Sequence, residues 1–320
     1  MTEDIKLKIG VSQCLLGDEV RYDGGHKRNR FVVTTLSDYV DYVPVCPEVE
    51  MGMPTPREAI RLVGHAASPS LMGIQSATDH TSGMRAWSAS KMPWIEDQEL
   101  DGYILKKDSP SCGLFRVRLY DADTGIPTRD GRGAFADPLV KAFPLMPVEE
   151  EGRLNDPPLR ENFISRIFTY HRWKRLLTDN RTPGGLVAFH TANKMSFLAH
   201  SPVHYRALGR IVSDAGAGDL DAILETYAET MTACLQVLAT PGKHTNVIMH
   251  LMSFLKNSLD AADKAELLDL VEQMRNRILP LIVPVTLLKH HLAKHEVPDW
   301  VHQQVYLNPY PGELMLRNHV

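Results

Sequence analysis

Hydrophobic periodicity changes once along this chain, between residues 144 and 158, and that change bounds the fold. Before it, short apolar runs alternate with helical patterns. IKLKIGVS (5–12), DYVPVC (41–46), REAIRLV (57–63) and LDGYILKK (100–107) read as strands. NRFVVTTLSDYV (29–40) and TDHTSGMRAWSASKMPWIEDQEL (78–100) read as helices. Strands alternating with helices argue for βαβ units and a mainly parallel sheet. LFRVRLYDADTGIPTRDG reads as an antiparallel appendage around a glycine turn, and RGAFADPLVKAF as a closing helix. After the change, amphipathic helical patterns fill 159–178, 203–214, 219–239, 243–259 and 261–279. PLMPVEEEGRLNDPP (144–158) is proline-rich and acidic without a period. The expected organisation is therefore an α/β domain over 1–147, a linker at 148–158 and an all-α domain over 159–320.

Composition narrows the class. Hydrophobic residues make up 43% and charged residues 23% of 320, as in globular proteins. No apolar run reaches the roughly 18 residues of a membrane helix, and MTEDIKLKIGVSQC holds no secretory h-region. Four cysteines are too few for a disulfide scaffold. A reducing cytoplasm is the expected setting, and there grouped thiols bind metal or do chemistry.

Three of the four cysteines fall just past an expected strand: Cys14 in GVSQCLLG, Cys46 in YVPVCPEVEMG and Cys112 in KKDSPSCG. Loops beyond the carboxyl ends of parallel strands share one crevice. A strand-end cysteine taken singly is usually buried packing, but three at equivalent places point to a shared metal site. Three thiolates without a fourth ligand suit an iron–sulfur cluster with one open iron, or an open zinc site. Glu48 stands two residues after Cys46, where a carboxylate acts as general acid or base. Ser109 and Ser111 flank Pro110 before Cys112, as site groups or as caps of a short helix. Arg57 reads either as a partner for a substrate phosphate or as one half of a structural salt bridge.

SQCLLG, CPEVEMGMPTPRE and KKDSPSCG, in this order and spacing, resemble the thiouracil desulfidase family, domain-of-unknown-function family 523. The resemblance covers roughly residues 5–147. It implies a 4Fe–4S cluster on Cys14, Cys46 and Cys112 with one iron lacking a protein ligand. It also implies Glu48 and Ser109 as catalytic residues. EMGM departs from the glycine pair of many members, in the loop and not at a ligand. The implied reaction is non-redox: a thiocarbonyl sulfur goes to the open iron while water supplies oxygen to the carbon.

The helical half carries its own signal. Across 160–212 stand nine Lys or Arg against only Glu161 and Asp179, inside a chain of net charge −4. Histidines 171, 190, 200 and 204 and the aromatics Tyr170, Trp173, Phe189 and Tyr205 are interleaved. This is the pattern of a phosphate-backbone surface, with a solvated helix face as the plainer reading. Arg172, Lys174, Arg175, Lys194 and Arg206 are the expected RNA contacts, and Trp173 and Phe189 are expected in the core. Residues 189–212 and 243–256 resemble the YbgA-type domain, domain-of-unknown-function family 1722, over about 160–300. The fusion implies desulfuration of 4-thiouridine in transfer RNA, the helical part holding the RNA. The competing readings are a desulfidase of free 2-thiouracil or its nucleoside, the helical half then serving a homo-oligomer, and a non-catalytic RNA-binding module holding structural zinc. His291 and His295 share a helix face, as do His190 and Lys194, without a third ligand in sight. Cys234 on an apolar helix face reads as core.

Overall fold

A computed structural model of the chain describes residues 6–320. The chain divides into two compact units, Met1–Asn155 and Asp156–Val320.

The first unit holds two four-stranded sheets. The fully parallel one joins β1 (Leu7–Ser12), β2 (Val40–Val45), β5 (Gly102–Leu105) and β8 (Val148–Glu150) in the order β2-β1-β5-β8. The strand expected at 5–12 is β1, and Ile5 lies outside the described residues. In β1 every residue but Lys8 is buried, which is why it reads as an apolar run and not as an alternation. Gly10 is required there, since a Cβ would fall 2.2 Å from the Tyr103 ring on β5. The second sheet is mixed, in the order β4-β3-β6-β7, with β3 (Ile60–Val63), β4 (Ser70–Gly73), β6 (Val117–Tyr120) and β7 (Pro127–Gly131). β6 and β7 form the expected antiparallel appendage, and Gly125 takes the positive φ of its turn. Helices α1 (Pro47–Glu50), α2 (Thr81–Asp97) and α3 (Ala136–Ala142) complete the unit. The helix expected at 29–40 is only a six-residue π-helical turn, Phe31–Leu36, because β2 already begins at Val40.

The stretch expected as linker is structured. β8 pairs in parallel with β5, and Val148, Glu149 and Glu150 are all buried. Its acids show no strand pattern in sequence, and their burial depends on donors far away along the chain. Glu150 accepts the backbone N–H groups of Leu114 at 2.7 Å and Phe115 at 3.0 Å. Glu151, just beyond the strand, accepts Lys106 Nζ and the Lys107 N–H, both at 2.7 Å.

The second unit is helical: α4 (Pro157–Asp179), α5 (Pro183–His200), α6 (Pro202–Ser213), α7 (Leu220–Gln236), α8 (Pro241–Met252), α9 (Ala261–Arg275) and α10 (Ile282–Lys294). Four of these start on the same signal, an Asp, Thr or Ser cap followed by proline: Asp156, Thr182, Ser201 and Thr240. α5 buries residues on every side, including Leu186, Phe189, His190, Met195 and Phe197, so it shows no polar stripe in sequence. Its core is aromatic. Trp173 stacks on Tyr227 at 5.3 Å and meets Phe189 edge-on at 5.4 Å, as expected of core residues. Among the described residues no helix is long and apolar enough to cross a membrane.

Candidate active site

Parallel strands end on one edge, and the three expected cysteines sit on that edge. Cys14 follows β1 by two residues, Cys46 follows β2 directly, and Cys112 lies in the turn after β5. β2, β1 and β5 are neighbours, so the thiols converge although they are far apart in sequence. All three line one cavity of about 450 Å³ in the first unit, together with Glu48, Arg57, Ser109 and residues of β3 and β6.

The loop carrying Cys112 is held by backbone. Gly133 donates to the Gly113 carbonyl at 2.7 Å, Ala134 to Pro110 at 2.9 Å and Phe135 to Ser111 at 2.9 Å. A Cβ on Gly133 would lie 2.3 Å from the Ser111 carbonyl, so this approach requires glycine. The Ser109 hydroxyl accepts the N–H groups of Ser111 and Cys112 at 3.2 and 3.0 Å, while the side chain lines the cavity.

Burial raises all three thiols above the ordinary cysteine value. It pushes Cys14 up to about 11, and the neighbouring Cys46 adds to that against Lys106. Cys46 is raised by burial, with Glu48 adding to it. Cys112 is raised most plainly, by burial first and then by Glu48, Cys14 and Cys46, against a hydrogen bond with Ser12. The three sulfurs therefore sense one another, and as thiolates they need a cation between them.

The donor set fits an iron–sulfur cluster. No group of three His, Cys, Asp or Glu among the described residues is set to hold a metal ion. A single tetrahedral ion draws thiolates to about 3.8 Å of each other, from bonds of about 2.3 Å. A cluster asks for less closeness, because each thiolate binds its own iron corner.

Glu48 is clamped on both oxygens. Arg57 donates to Oε2 from Nε at 2.9 Å and from Nη2 at 2.5 Å, and Ser111 donates to Oε1 at 2.8 Å. The Arg57 side chain is only 4% exposed and also holds the Val20 carbonyl at 3.0 Å. Of the two readings of Arg57, the structure shows the salt bridge, with the remaining donors going to the Pro54 and Val20 carbonyls and to the Thr55 hydroxyl. Ser111 is fully buried. The sequence signal missed here is the cation set of the cavity wall, Lys27, Arg61, Lys107 and Arg118. None of the four has a carboxylate partner among the described residues, and Arg61 stands over the Tyr120 ring at 5.0 Å with Nε buried and unpaired.

The expected RNA contacts of the second unit differ in exposure and in partners. Arg172 turns its guanidinium inward, donating to the Pro309 carbonyl with Nη1 buried, and burial lowers it to about 10. Arg172 as a whole is half-buried, its Nη2 engaged by the Pro309 carbonyl. Arg175 pairs with Asp179 at 2.7 Å, Lys174 stands over Tyr170 at 5.5 Å, and Lys194 over Trp300 at 3.4 Å. Arg206 and its neighbour one turn on, Arg210, are exposed on α6. His291 and His295 stack at 6.3 Å, and Cys234 is fully buried, as expected.

The family described as 2-thiouracil desulfurase matches residues 9–151, and the one described as a protein of unknown function, DUF1722, matches residues 194–311. The chain is 32% identical over 160 residues to uncharacterized protein YbgA of Escherichia coli (strain K12), covering 49% of this chain and 94% of that protein. It is 34% identical over 110 residues to uncharacterized protein YbbK of Bacillus subtilis (strain 168), covering 33% of this chain and 72% of that protein. Among solved structures it is similar to a 4Fe–4S-dependent thiouracil desulfidase, TudS, at 30% identity and a TM-score of 0.37, covering 47% of this chain and 94% of that chain.

Proposed function

The chain belongs to the 2-thiouracil desulfurase family through residues 9–151, joined to a DUF1722 region at residues 194–311, and we propose that it desulfurates 4-thiouridine in transfer RNA. The reaction exchanges the C=S sulfur for the oxygen of water, giving uridine and sulfide without net oxidation or reduction. The observation that carries this reading is the convergence of Cys14, Cys46, Cys112 and Glu48 on one cavity at the edge of a parallel sheet.

Cys14, Cys46 and Cys112 would hold a 4Fe–4S cluster. When bound, it supplies a soft Lewis-acid iron, without a protein ligand, for the departing sulfur. The rest falls to the chain's own side chains. Glu48 takes the proton of the water that adds to the thiocarbonyl carbon. Arg57 and Ser111 aim its carboxylate, since each holds a different oxygen. Ser109, on the cavity wall, orients the base while its oxygen holds the Cys112 turn.

Lys27, Arg61, Lys107 and Arg118 favour a phosphate-bearing substrate over free thiouracil, because unpaired cations on a cavity wall attract a polyanion. Arg206 and Arg210 on the second unit support the same choice. Mass spectrometry of transfer-RNA nucleosides, before and after anaerobic incubation with iron-loaded protein, tests the proposal. Loss of 4-thiouridine with matching gain of uridine is expected. Intact 4-thiouridine beside rapid conversion of free 2-thiouracil would reject transfer RNA as the substrate.

A further inference from the structure

The second unit contains a cavity of about 630 Å³ that the desulfuration reading does not use. The start of α4, the start of α8, the chain between α9 and α10 and residues 318–320 line it. Two buried polar side chains line it. Glu161 is 8% exposed, receives the Tyr310 hydroxyl on Oε1 at 2.9 Å and has Arg317 Nε at 3.8 Å from the same oxygen. Its Oε2 has no partner among the described residues. His244 is likewise 8% exposed, meets the Tyr306 hydroxyl through Nδ1 at 3.0 Å, and has no partner for Nε2 among the described residues. Arg317 joins the two arrangements by donating from Nη1 to the Tyr306 carbonyl at 2.6 Å.

Two tyrosines and an arginine thus hold a carboxylate and an imidazole in fixed orientation, each with one atom unused. Neither atom is sealed off from solvent, so each is open to water or a ligand in the cavity that the two residues line. Leu159, Met274 and Leu281 make the walls apolar, and exposed Arg277 lines the cavity as well, without a carboxylate partner among the described residues. The volume lies within the roughly 300–1,000 Å³ of small-molecule sites.

We propose that this cavity binds a ribonucleoside monophosphate, its base against Glu161 and His244 and its phosphate at Arg277. An inorganic anion alone would meet the Glu161 carboxylate, and an apolar chain would leave Oε2 and Nε2 unmet. A flat ring with an N–H for Glu161 and a second polar edge atom for His244 satisfies both, and the walls cover its faces. The site is separate from the cysteine cavity and independent of the desulfuration reading.

The test uses the full chain labelled with ¹³C-methyl methionine, the Met274 resonance being assigned by Met274→Leu. UMP and AMP are titrated, with uridine and inorganic phosphate as controls. Saturable movement of the Met274 methyl by at least one nucleotide is expected, with none from phosphate alone. Arg277→Asn keeps a residue that tolerates the φ of 60° at this position. It should weaken the nucleotide about tenfold, to the level of uridine, as loss of a charge-assisted phosphate contact does. Leu159→Trp, which places a larger ring on the cavity wall, should weaken the movement. A Met274 methyl unmoved by both nucleotides at millimolar concentration, or moved equally in Leu159→Trp, overturns the proposal. The same titration in Glu48→Gln should be unchanged, so failure here leaves the desulfuration reading standing.

Discussion

The two units bury polar side chains in opposite ways. In the first, Cys14, Cys46, Cys112, Glu48, Arg57 and Ser109 gather at one cavity. In the second, polar groups are mostly scattered and closed off one at a time. Asn162 donates to the Leu235 carbonyl, His200 Nδ1 meets the Val237 carbonyl, and His190 Nδ1 meets the Tyr227 hydroxyl. Gln304 inserts its amide into α5, accepting from the Met195 N–H at 3.2 Å and donating to the Thr191 carbonyl at 2.7 Å. The difference is architectural. A parallel sheet delivers every strand's carboxyl end to one edge, so convergence costs no special backbone. A helix satisfies its own backbone and offers apolar faces, so each buried polar group needs a private partner.

The largest expected effect breaks the first unit alone. Cys14→Ser, Cys46→Ser and Cys112→Ser should each lose bound iron after anaerobic reconstitution and lose turnover entirely. Cys234→Ser, fully buried in the second unit, should keep its iron. Full iron loading in Cys112→Ser would refute the ligand assignment. Next, Glu48→Ala should keep the iron but lower the rate about 10²–10⁴-fold, as loss of a general base does. A near-parental rate there would leave the clamp of Arg57 and Ser111 without a catalytic purpose.

Stability sharpens the contrast at a smaller scale. Arg57→Ala removes the partner of a carboxylate that is 14% exposed and should cost the first unit about 3–5 kcal/mol. Trp173→Ala should cost the second unit about 3–5 kcal/mol through the cavity it leaves. Denaturant melts followed by iron absorbance and by far-ultraviolet dichroism would separate the two. An iron-loss midpoint lowered in the Trp173 variant, or left at the parent's value in the Arg57 variant, would deny that each unit carries its own core.

The mildest effect is acid sensitivity of the second unit. Burial holds His190 at about 4, with Lys194 adding to it, and burial also lowers His200 and His244. The unfolded chain takes up these protons near the ordinary value of about 6.5 while the folded chain does not. Stability is therefore full above that pH and falls as pH drops through the window down to about 4, by up to about 1.4 kcal/mol per pH unit for each histidine. A flat stability between pH 7 and 5 would mean that these rings are not buried neutral.

Much of the first unit was legible in sequence because its signals are local. The apolar runs of β1, β2 and β5, the turn before β7 and the cysteines past strand ends can each be read within a short window. β4 and β8 were not legible. Ser70–Gly73 is four residues long, and Val148–Glu150 carries acids whose burial depends on N–H groups at Leu114 and Phe115. α5 escaped as a periodic pattern for a different reason: burial on several faces leaves no polar stripe. The basic run around Arg172 was visible as charge, yet charge does not tell whether a guanidinium turns outward or toward the Pro309 carbonyl.

By itself, the sequence determined the alternation of strands and helices, the helical second half, and three thiols placed after strands, since these follow from residue type and period. Only the tertiary structure decided which polar group meets which. A hydrogen bond reaches about 3 Å, and Ser111 comes that close to Glu48, 63 residues away, only when α1 and the loop of Ser111 lie at the same edge of the folded sheet.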